Sequence, residues 1–225
     1  MKYFLSMLLL CLAGNVVVAQ TCKDYYYLQN NKTIEMTIYN KKGKVGGKMT
    51  YAISDVSTAG GTTTATVNSD FTDTKGKTIS KASNRVSCTG GVLMMDMKMF
   101  IPSAQQQQMG NASASASNVF IEYPSNMKEG DALKDGRFSM DFKMESGLGG
   151  NVSIVITDRK VAGKESINTP AGTWEAYKIT YQSKTTMKIG IGIPINMDVT
   201  EWYVPGFGVV KTESGGGKTE ITAIR

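Results

Sequence analysis

Apolar and polar side chains alternate over many short runs of this chain. Tyr177, Ile179 and Tyr181 alternate with Lys178 and Thr180, which is the period-two pattern of a strand with one buried face. The same reasoning predicts strands over residues 33–39, 47–56, 62–71, 77–88, 92–100, 137–145, 152–161, 199–204, 209–213 and 219–224. One stretch deviates from simple alternation: residues 154–156 are apolar on both faces of the strand, which favours a central place in the sheet.

The breaks between these runs have the composition of turns. Glycine pairs stand at 60–61 and 90–91, Asn-Lys-Lys-Gly at 40–43, and Pro-Ala-Gly at 170–172. Glycine accepts a positive φ, and proline presets φ for an early turn position. Short connections join antiparallel neighbours. We therefore predict an all-β, mainly antiparallel fold, a sheet or barrel built from hairpins.

Two segments interrupt the hairpin series. Residues 102–118 contain four glutamines and an alternating Ala-Ser run. Pro102 suits the first turn of a helix, and the Ala-Ser run is low-complexity sequence. We predict a variable loop over these residues. The alternatives are one short helix or loop segment that covers the sheet, and a disordered segment. Residues 188–194, apolar and rich in glycine, are predicted to form a loop or edge lying against the sheet.

The N-terminus has the pattern of a secretory signal peptide. Lys2 precedes an apolar run from Leu5 to Leu12, and Val17-Val18-Ala19 ends in a small residue, so we predict a signal peptide over 1–19. The apolar run is too short for a membrane-spanning helix. Residues 20–225 then form one β-rich domain. The protein is expected to be exported, either to the periplasm or to the outer envelope and cell exterior.

Cleavage after Ala19 would leave two cysteines and a modest positive charge. Cys22 and Cys88 remain, and two cysteines in an exported protein favour one disulfide, with two free thiols as the alternative. The predicted domain has 24 basic and 19 acidic side chains, a net charge of +5. Its lysines are scattered without interleaved aromatic residues, which argues against a nucleic-acid partner.

Two methionine-rich stripes are candidates for a ligand-binding surface. Methionine is flexible and polarizable, so a stripe of it can line a pocket for varied apolar ligands. The alternative is that both stripes fill the core. The stripes contain Met95, Met97 and Met99 in one predicted strand and Phe138, Met140, Phe142 and Met144 in another.

The two tryptophans, Trp174 and Trp202, are the remaining candidate ligand contacts. Flat aromatic rings can stack on a sugar, but large aromatic side chains also dominate the burial energy of small sheets. Both interpretations stay open at this stage.

The sequence offers little catalytic or metal-binding chemistry. It has no histidine, which removes His-dependent triads and the commonest zinc ligand, and it has no phosphate loop or dinucleotide fingerprint. We predict no catalytic residues, no metal site and no cofactor. A pair of carboxylates could still act on a glycoside; the candidates on predicted strands are Asp141, Glu145, Asp158, Glu175 and Glu201.

Several motifs resemble those of a family of secreted, β-rich bacterial proteins of unknown function. The matching segments are TPAGTW at 169–174, YKI at 177–179, TEWY at 200–203 and PGFGVVK at 205–211, with YP at 123–124 and GDALKD at 130–135 upstream. The resemblance implies a curved, incompletely closed antiparallel sheet or half-barrel, similar to periplasmic lipoprotein carriers. It supplies no catalytic residues.

These observations lead to three functional hypotheses. The first is a non-catalytic exported protein that binds an apolar or lipid-like molecule on the concave face of its sheet. The second is a structural or interaction module of an envelope assembly, with an envelope protein as its partner. The third is a glycan-binding or glycan-hydrolysing domain. The sequence predicts no oligomeric state.

Overall fold

A computed structural model describes residues 22–102, 105, 113–115, 119–144 and 147–225. Over these residues the chain forms thirteen strands and three short 3-10 helices, Cys22–Asp24, Tyr26–Leu28 and Met97–Phe100. The strands are β1 (Thr33–Asn40), β2 (Val45–Ala59), β3 (Thr62–Thr72), β4 (Thr78–Thr89), β5 (Val92–Asp96), β6 (Ser113–Ser115), β7 (Phe120–Tyr123), β8 (Gly136–Lys143), β9 (Gly149–Thr169), β10 (Gly172–Ile189), β11 (Ile191–Val204), β12 (Gly208–Ser214) and β13 (Gly217–Ile224).

All thirteen strands belong to one sheet, in the order β6-β8-β9-β10-β11-β12-β13-β1-β2-β3-β4-β5-β7, and every neighbouring pair is antiparallel. The sheet curls into a nearly closed barrel with one unsealed seam. The prediction of an all-β, incompletely closed antiparallel sheet is confirmed. Period-two alternation places the core residues: β8 alternates strictly between buried and exposed positions.

The strict alternation of strand direction defines two ends of the barrel. The turns β1–β2, β3–β4, β8–β9, β10–β11 and β12–β13 lie at one end, which we call the upper end, together with the segment that follows β5. The turns β2–β3, β4–β5, β9–β10 and β11–β12 lie at the lower end, with Cys22 and Arg225.

The N-terminal segment closes the lower end. Tyr25, Tyr27 and Leu28 are almost completely buried, and the Tyr25 hydroxyl donates to the carbonyl oxygen of Gly91 in the β4–β5 turn at 3.0 Å. A disulfide joins Cys22 to Cys88 at the end of β4, as the sequence predicted. This segment, residues 22–28, which we call the N-terminal plug, is therefore both covalently attached and packed into the interior.

The sheet ends at β6 and β7, and β6 pairs with β8 only at residues 141–143. The seam lies between β7 and the part of β8 that β6 leaves unpaired. Side chains span it from within: a Cβ on Gly136 would stand 2.9 Å from both the Ile121 Cδ1 and the Met97 Sδ. On β9, Arg159 Nη1 donates to the carbonyl oxygens of Glu122 and Lys134, at 3.0 and 2.8 Å. These contacts hold together two edges that share no strand pairing.

Three sequence predictions concern the remaining segments. The signal peptide at 1–19 lies outside the described residues, as does most of the 102–118 loop, of which Ser113–Ser115 pairs with β8. Residues 188–194 were predicted to form a loop or edge lying against the sheet; they include a free edge, but they do not lie against the sheet. They form the tip of the β10–β11 hairpin, where Ile191 is 87% and Ile193 70% exposed.

Candidate functional site

A half-open cavity of about 410 Å³ lies inside the upper half of the barrel. Its size falls within the range of small-molecule binding pockets. Its lining comes from β1, β2, β5, β9, β10, β11, β12 and β13, and from the segment after β5. A hydrophobic space enclosed by so many elements of one sheet is a property of the barrel, not of one surface loop.

The mouth of the cavity is at the upper end and its floor is near the plug. Tyr39 at the end of β1 and Gly217 at the start of β13 line the mouth, with Ile195 of β11. Tyr27 of the N-terminal plug lines the inner part. The disulfide that positions the plug thereby also positions the floor.

Methionines and aromatic rings form a large part of the wall. Five methionines contribute, and Tyr51 of β2 lines the same space from a buried position. Methionine has three rotatable bonds and a polarizable sulfur, so such a wall adapts to apolar ligands of different shapes. The five methionines are Met36, Met49, Met95, Met99 and, near the mouth, Met197.

The polar side chains that line the cavity are mainly uncharged. Burial raises the pKa of Tyr51 to about 12, so its hydroxyl stays neutral. Gln105 is buried, and its side-chain oxygen has no hydrogen-bond partner among the described residues. Lys218 lies at the mouth, where its Nζ is 2.9 Å from Glu220 Oε1. The cavity is therefore suited to an apolar body with a polar group toward the mouth.

A buried ionic cluster lies behind the wall. The hydroxyls of Tyr123 and Tyr181 donate to Glu201 Oε2 at 3.2 and 3.3 Å, and Arg159 Nη2 is 3.8 Å from Glu201 Oε1. The Arg159 guanidinium also stacks on the Tyr123 ring, 4.9 Å from its centroid. Of these four residues only Tyr181 lines the cavity.

Burial governs the ionisation of this cluster. It raises the pKa of Glu201, and the Arg159 charge and the two tyrosine hydrogen bonds partly offset that rise. Burial, reinforced by the Glu201 charge, also raises the pKa of Tyr123 and Tyr181 well above the ordinary value. The tyrosines therefore remain donors, which fixes the Tyr181 ring in the cavity wall.

Of the first predicted methionine stripe, Met95 and Met99 line the cavity. Met97, between them in sequence, is fully buried and packs near Gly136 at the seam. The 3-10 helix Met97–Phe100 explains this separation, because it ends the strand alternation that would have placed all three on one face.

The second predicted stripe does not line the cavity. Phe138, Met140 and Phe142 alternate along β8 and are buried in the core, whereas Met144 is only partly buried. They pack the part of the barrel next to the seam. The structure does not bring the two stripes together around one cavity.

Trp174 and Trp202 lie away from the cavity as well. Trp202 is only 5% exposed, and its indole N–H donates to Glu165 Oε1 at 2.6 Å. Lys211 Nζ lies 4.5 Å from the centroid of its ring. Trp174 packs on Phe207, with ring centroids 4.9 Å apart. Covered faces of this kind leave little surface for a stacked sugar.

The candidate carboxylates are dispersed. Asp141, Asp158 and Glu175 are exposed on β8, β9 and β10, whereas Glu201 is fully buried in the ionic cluster. Glu145 lies outside the described residues. The described carboxylates of this set therefore do not form the paired arrangement that glycoside hydrolysis requires.

Sequence reasoning missed several important wall residues. Met49 and Tyr51 alternate with polar residues on β2, so periodicity alone assigns them to the interior face. Tyr27 belongs to the plug and carries no strand pattern. What periodicity cannot show is which interior positions surround empty space and which are filled.

Comparison with known proteins agrees with this architecture. A family model described as DUF3108-like matches residues 29–223. A candidate exported protein with a YmcC-like fold from Bacteroides fragilis superposes with a TM-score of 0.73 at 21% identity, covering 88% of this chain and 96% of that one. A candidate lipoprotein from Parabacteroides distasonis superposes with a TM-score of 0.75 at 21% identity, covering 89% and 98%.

At such identities the structural likeness shows the fold alone. No protein with curated annotation matches the chain. The family match covers most of the sequence and confirms the resemblance noted from its motifs. The chain belongs to the DUF3108-like family.

Proposed function

We propose that this chain is a non-catalytic, exported protein that binds an elongated apolar or amphiphilic molecule inside its barrel. The observation that carries the proposal is the half-open cavity of about 410 Å³, walled by methionine and aromatic side chains. The sequence pattern of residues 1–19 and the description of similar structures as a candidate exported protein and a candidate lipoprotein support export.

The distribution of polar groups indicates the chemistry of the ligand. The inner wall offers methionine sulfurs, the rings of Tyr51 and Tyr181, and the neutral Tyr51 hydroxyl, and this lining suits an alkyl or aromatic body. Lys218 lies at the mouth and can approach a polar or anionic head group there. An amphiphile with its head group at the upper end fits both regions.

The test is a binding titration with the apolar fluorescent probe N-phenyl-1-naphthylamine on purified protein. Met99→Trp introduces a larger side chain into the cavity wall, and we expect it to weaken probe binding by at least about tenfold. Met144→Trp is the matched control, because Met144 is also partly buried but does not line the cavity. Thermal unfolding establishes that both variants are folded.

Extraction and mass spectrometry of the purified protein complement the titration. We expect a co-purifying amphiphile that is depleted in Met99→Trp and retained in Met144→Trp. An absence of probe binding in delipidated protein, or equal binding by the two variants, would overturn the proposal. That result would instead favour a structural or interaction module with a filled interior.

A further inference from the structure

Large apolar side chains are exposed almost entirely at one end of the barrel. Within the part of the chain that the structure describes, Ile224 is the exposed large apolar residue at the lower end, at 39%. Five others lie at the upper end, around the mouth of the cavity. They are Val45 at 47%, Leu148 at 53%, Ile191 at 87%, Ile193 at 70% and Ile195 at 41%.

The β10–β11 hairpin carries the most exposed part of this patch. Its strands pair out to Ile189 and Ile191, whereas β12 pairs with β11 only from Val199 onward. Residues 191–198 therefore extend past the rest of the sheet on that side. Alternate positions share a face of a strand, so the three isoleucines of β11 present one apolar surface.

This free edge is poorly suited to pairing with another strand. Gly192 and Pro194 lie within it, and proline has no N–H to donate to a neighbouring strand. Prolines on edge strands are a common way to prevent edge-to-edge pairing with the sheet of another chain. The hairpin thus exposes apolar side chains without offering a good backbone template to a second copy of the chain.

The same end of the barrel is rich in lysine. Lys188 is exposed beside the isoleucine hairpin. The single carboxylate in the β1–β2 and β3–β4 turns, Asp73, accepts hydrogen bonds from the backbone N–H groups of Lys75 and Lys77. The exposed lysines of these two turns are Lys41, Lys42, Lys44, Lys75 and Lys77.

The longest connection at the lower end, the β7–β8 segment, has a slight excess of negative charge. The β7–β8 segment carries Glu129, Asp131 and Asp135 against Lys128 and Lys134. An anionic surface would therefore attract the upper end and orient the barrel before contact. Exposed apolar residues flanked by lysines are the combination that binds to anionic lipid head groups and the acyl region below them.

We propose that the upper end docks on an anionic lipid bilayer, with Ile191 and Ile193 entering the interface and the turn lysines contacting head groups. Ile195 belongs to the apolar patch and also lines the cavity, so docking brings the mouth of the cavity to the lipid. No helix among the described residues is long and apolar enough to span a membrane. This inference goes beyond the proposed function, because docking does not require an occupied cavity.

The test is co-sedimentation with vesicles of phosphatidylglycerol and phosphatidylcholine, compared with vesicles of phosphatidylcholine alone. We expect binding to the anionic vesicles that weakens as salt is raised. The double variants Ile191→Ser/Ile193→Ser and Lys41→Glu/Lys42→Glu are each expected to weaken binding by at least about tenfold. The matched controls at other positions are Ile224→Ser and Lys160→Glu, which should bind as the unmodified protein does.

Two outcomes would overturn the proposal. One is an absence of binding to anionic vesicles at low salt, or an equal loss of binding in the control variants. The other is a dimer in light scattering that Ile191→Ser/Ile193→Ser dissociates, which would assign the patch to a second copy of the chain. Probe titration without vesicles tests the cavity separately, so failure of docking and failure of ligand binding are distinguishable.

Discussion

Arg159 and Glu201 face each other inside the barrel, with Nη2 3.8 Å from Oε1 and neither side chain more than 1% exposed. The same guanidinium donates through Nη1 to the carbonyl oxygens of Glu122 and Lys134. The arginine therefore links the ionic cluster behind the cavity wall to the backbone on both sides of the seam. A buried charge in this position is retained only with its partners in place.

We expect Arg159→Met to destabilise the protein by about 3–5 kcal/mol, because it leaves Glu201 buried without its cation. Chemical denaturation provides the free energy of unfolding. Lys48→Met is the control: it removes the exposed Lys48–Glu35 ion pair, 2.8 Å long with the lysine 49% exposed, and should cost less than about 1 kcal/mol. Similar losses in the two variants would contradict a special role for the buried pair.

The pH dependence of stability should change in Glu201→Gln. Burial raises the pKa of Glu201 above its ordinary value of 4.5, so between those two pKa values the folded state binds more protons than the unfolded state. The contribution of Glu201 to the free energy of unfolding is fully present below pH 4.5, and it is lost as the pH rises through the raised pKa. The free energy of unfolding of the unmodified protein, relative to the glutamine variant, should therefore fall with rising pH. A difference that rises with pH would refute this assignment.

Removing the disulfide should loosen the floor of the cavity. Cys22 and Cys88 are separated by 66 residues in sequence. Because the disulfide restricts the unfolded chain, we expect Cys22→Ser/Cys88→Ser to lower the free energy of unfolding by up to about 4 kcal/mol. Since Tyr25 and Tyr27 depend on this attachment, amide exchange should accelerate in the N-terminal segment more than in β9 and β10. Uniform acceleration over the whole chain would contradict a local role for the plug.

The β12–β13 turn at the mouth offers a matched pair of glycines. Gly217 has a φ of +135°, and a Cβ there would collide with the backbone of Tyr39 and Asn40. A Cβ on Gly216 would meet only the Ser214 Oγ, at 3.5 Å. Gly217→Ala should therefore destabilise by more than about 1 kcal/mol, whereas Gly216→Ala should be nearly neutral. Equal melting temperatures for the two variants would show that the turn adapts freely.

The sequence was sufficient to predict the hairpins and most interior faces, because alternation continues through strands such as β2 and β8. It was insufficient to predict that Arg159 faces the interior. Arg159 follows a bulge at Asp158, where φ is +57° and the register with β10 shifts. A bulge changes which face subsequent residues occupy. Glu201 was ambiguous for another reason: an isolated acid on a strand is usually a surface residue, and its buried partners come from distant strands.

The position of the cavity could not be predicted either. Met95 and Met140 have the same residue type and occupy similar buried positions on their strands, but only Met95 faces the open space. That difference depends on the curvature of the sheet and on how the segment after β5 packs across it. Neither is encoded in the local pattern.

A crystal structure of the protein soaked with a bromine-labelled alkyl amphiphile would show whether the barrel cavity holds such a molecule. We expect anomalous bromine peaks inside the barrel, beside Met49, Met99 and the ring of Tyr51, with the head group toward Lys218. Bromine peaks confined to the outer surface, with the cavity filled by rearranged methionines, would contradict this expectation.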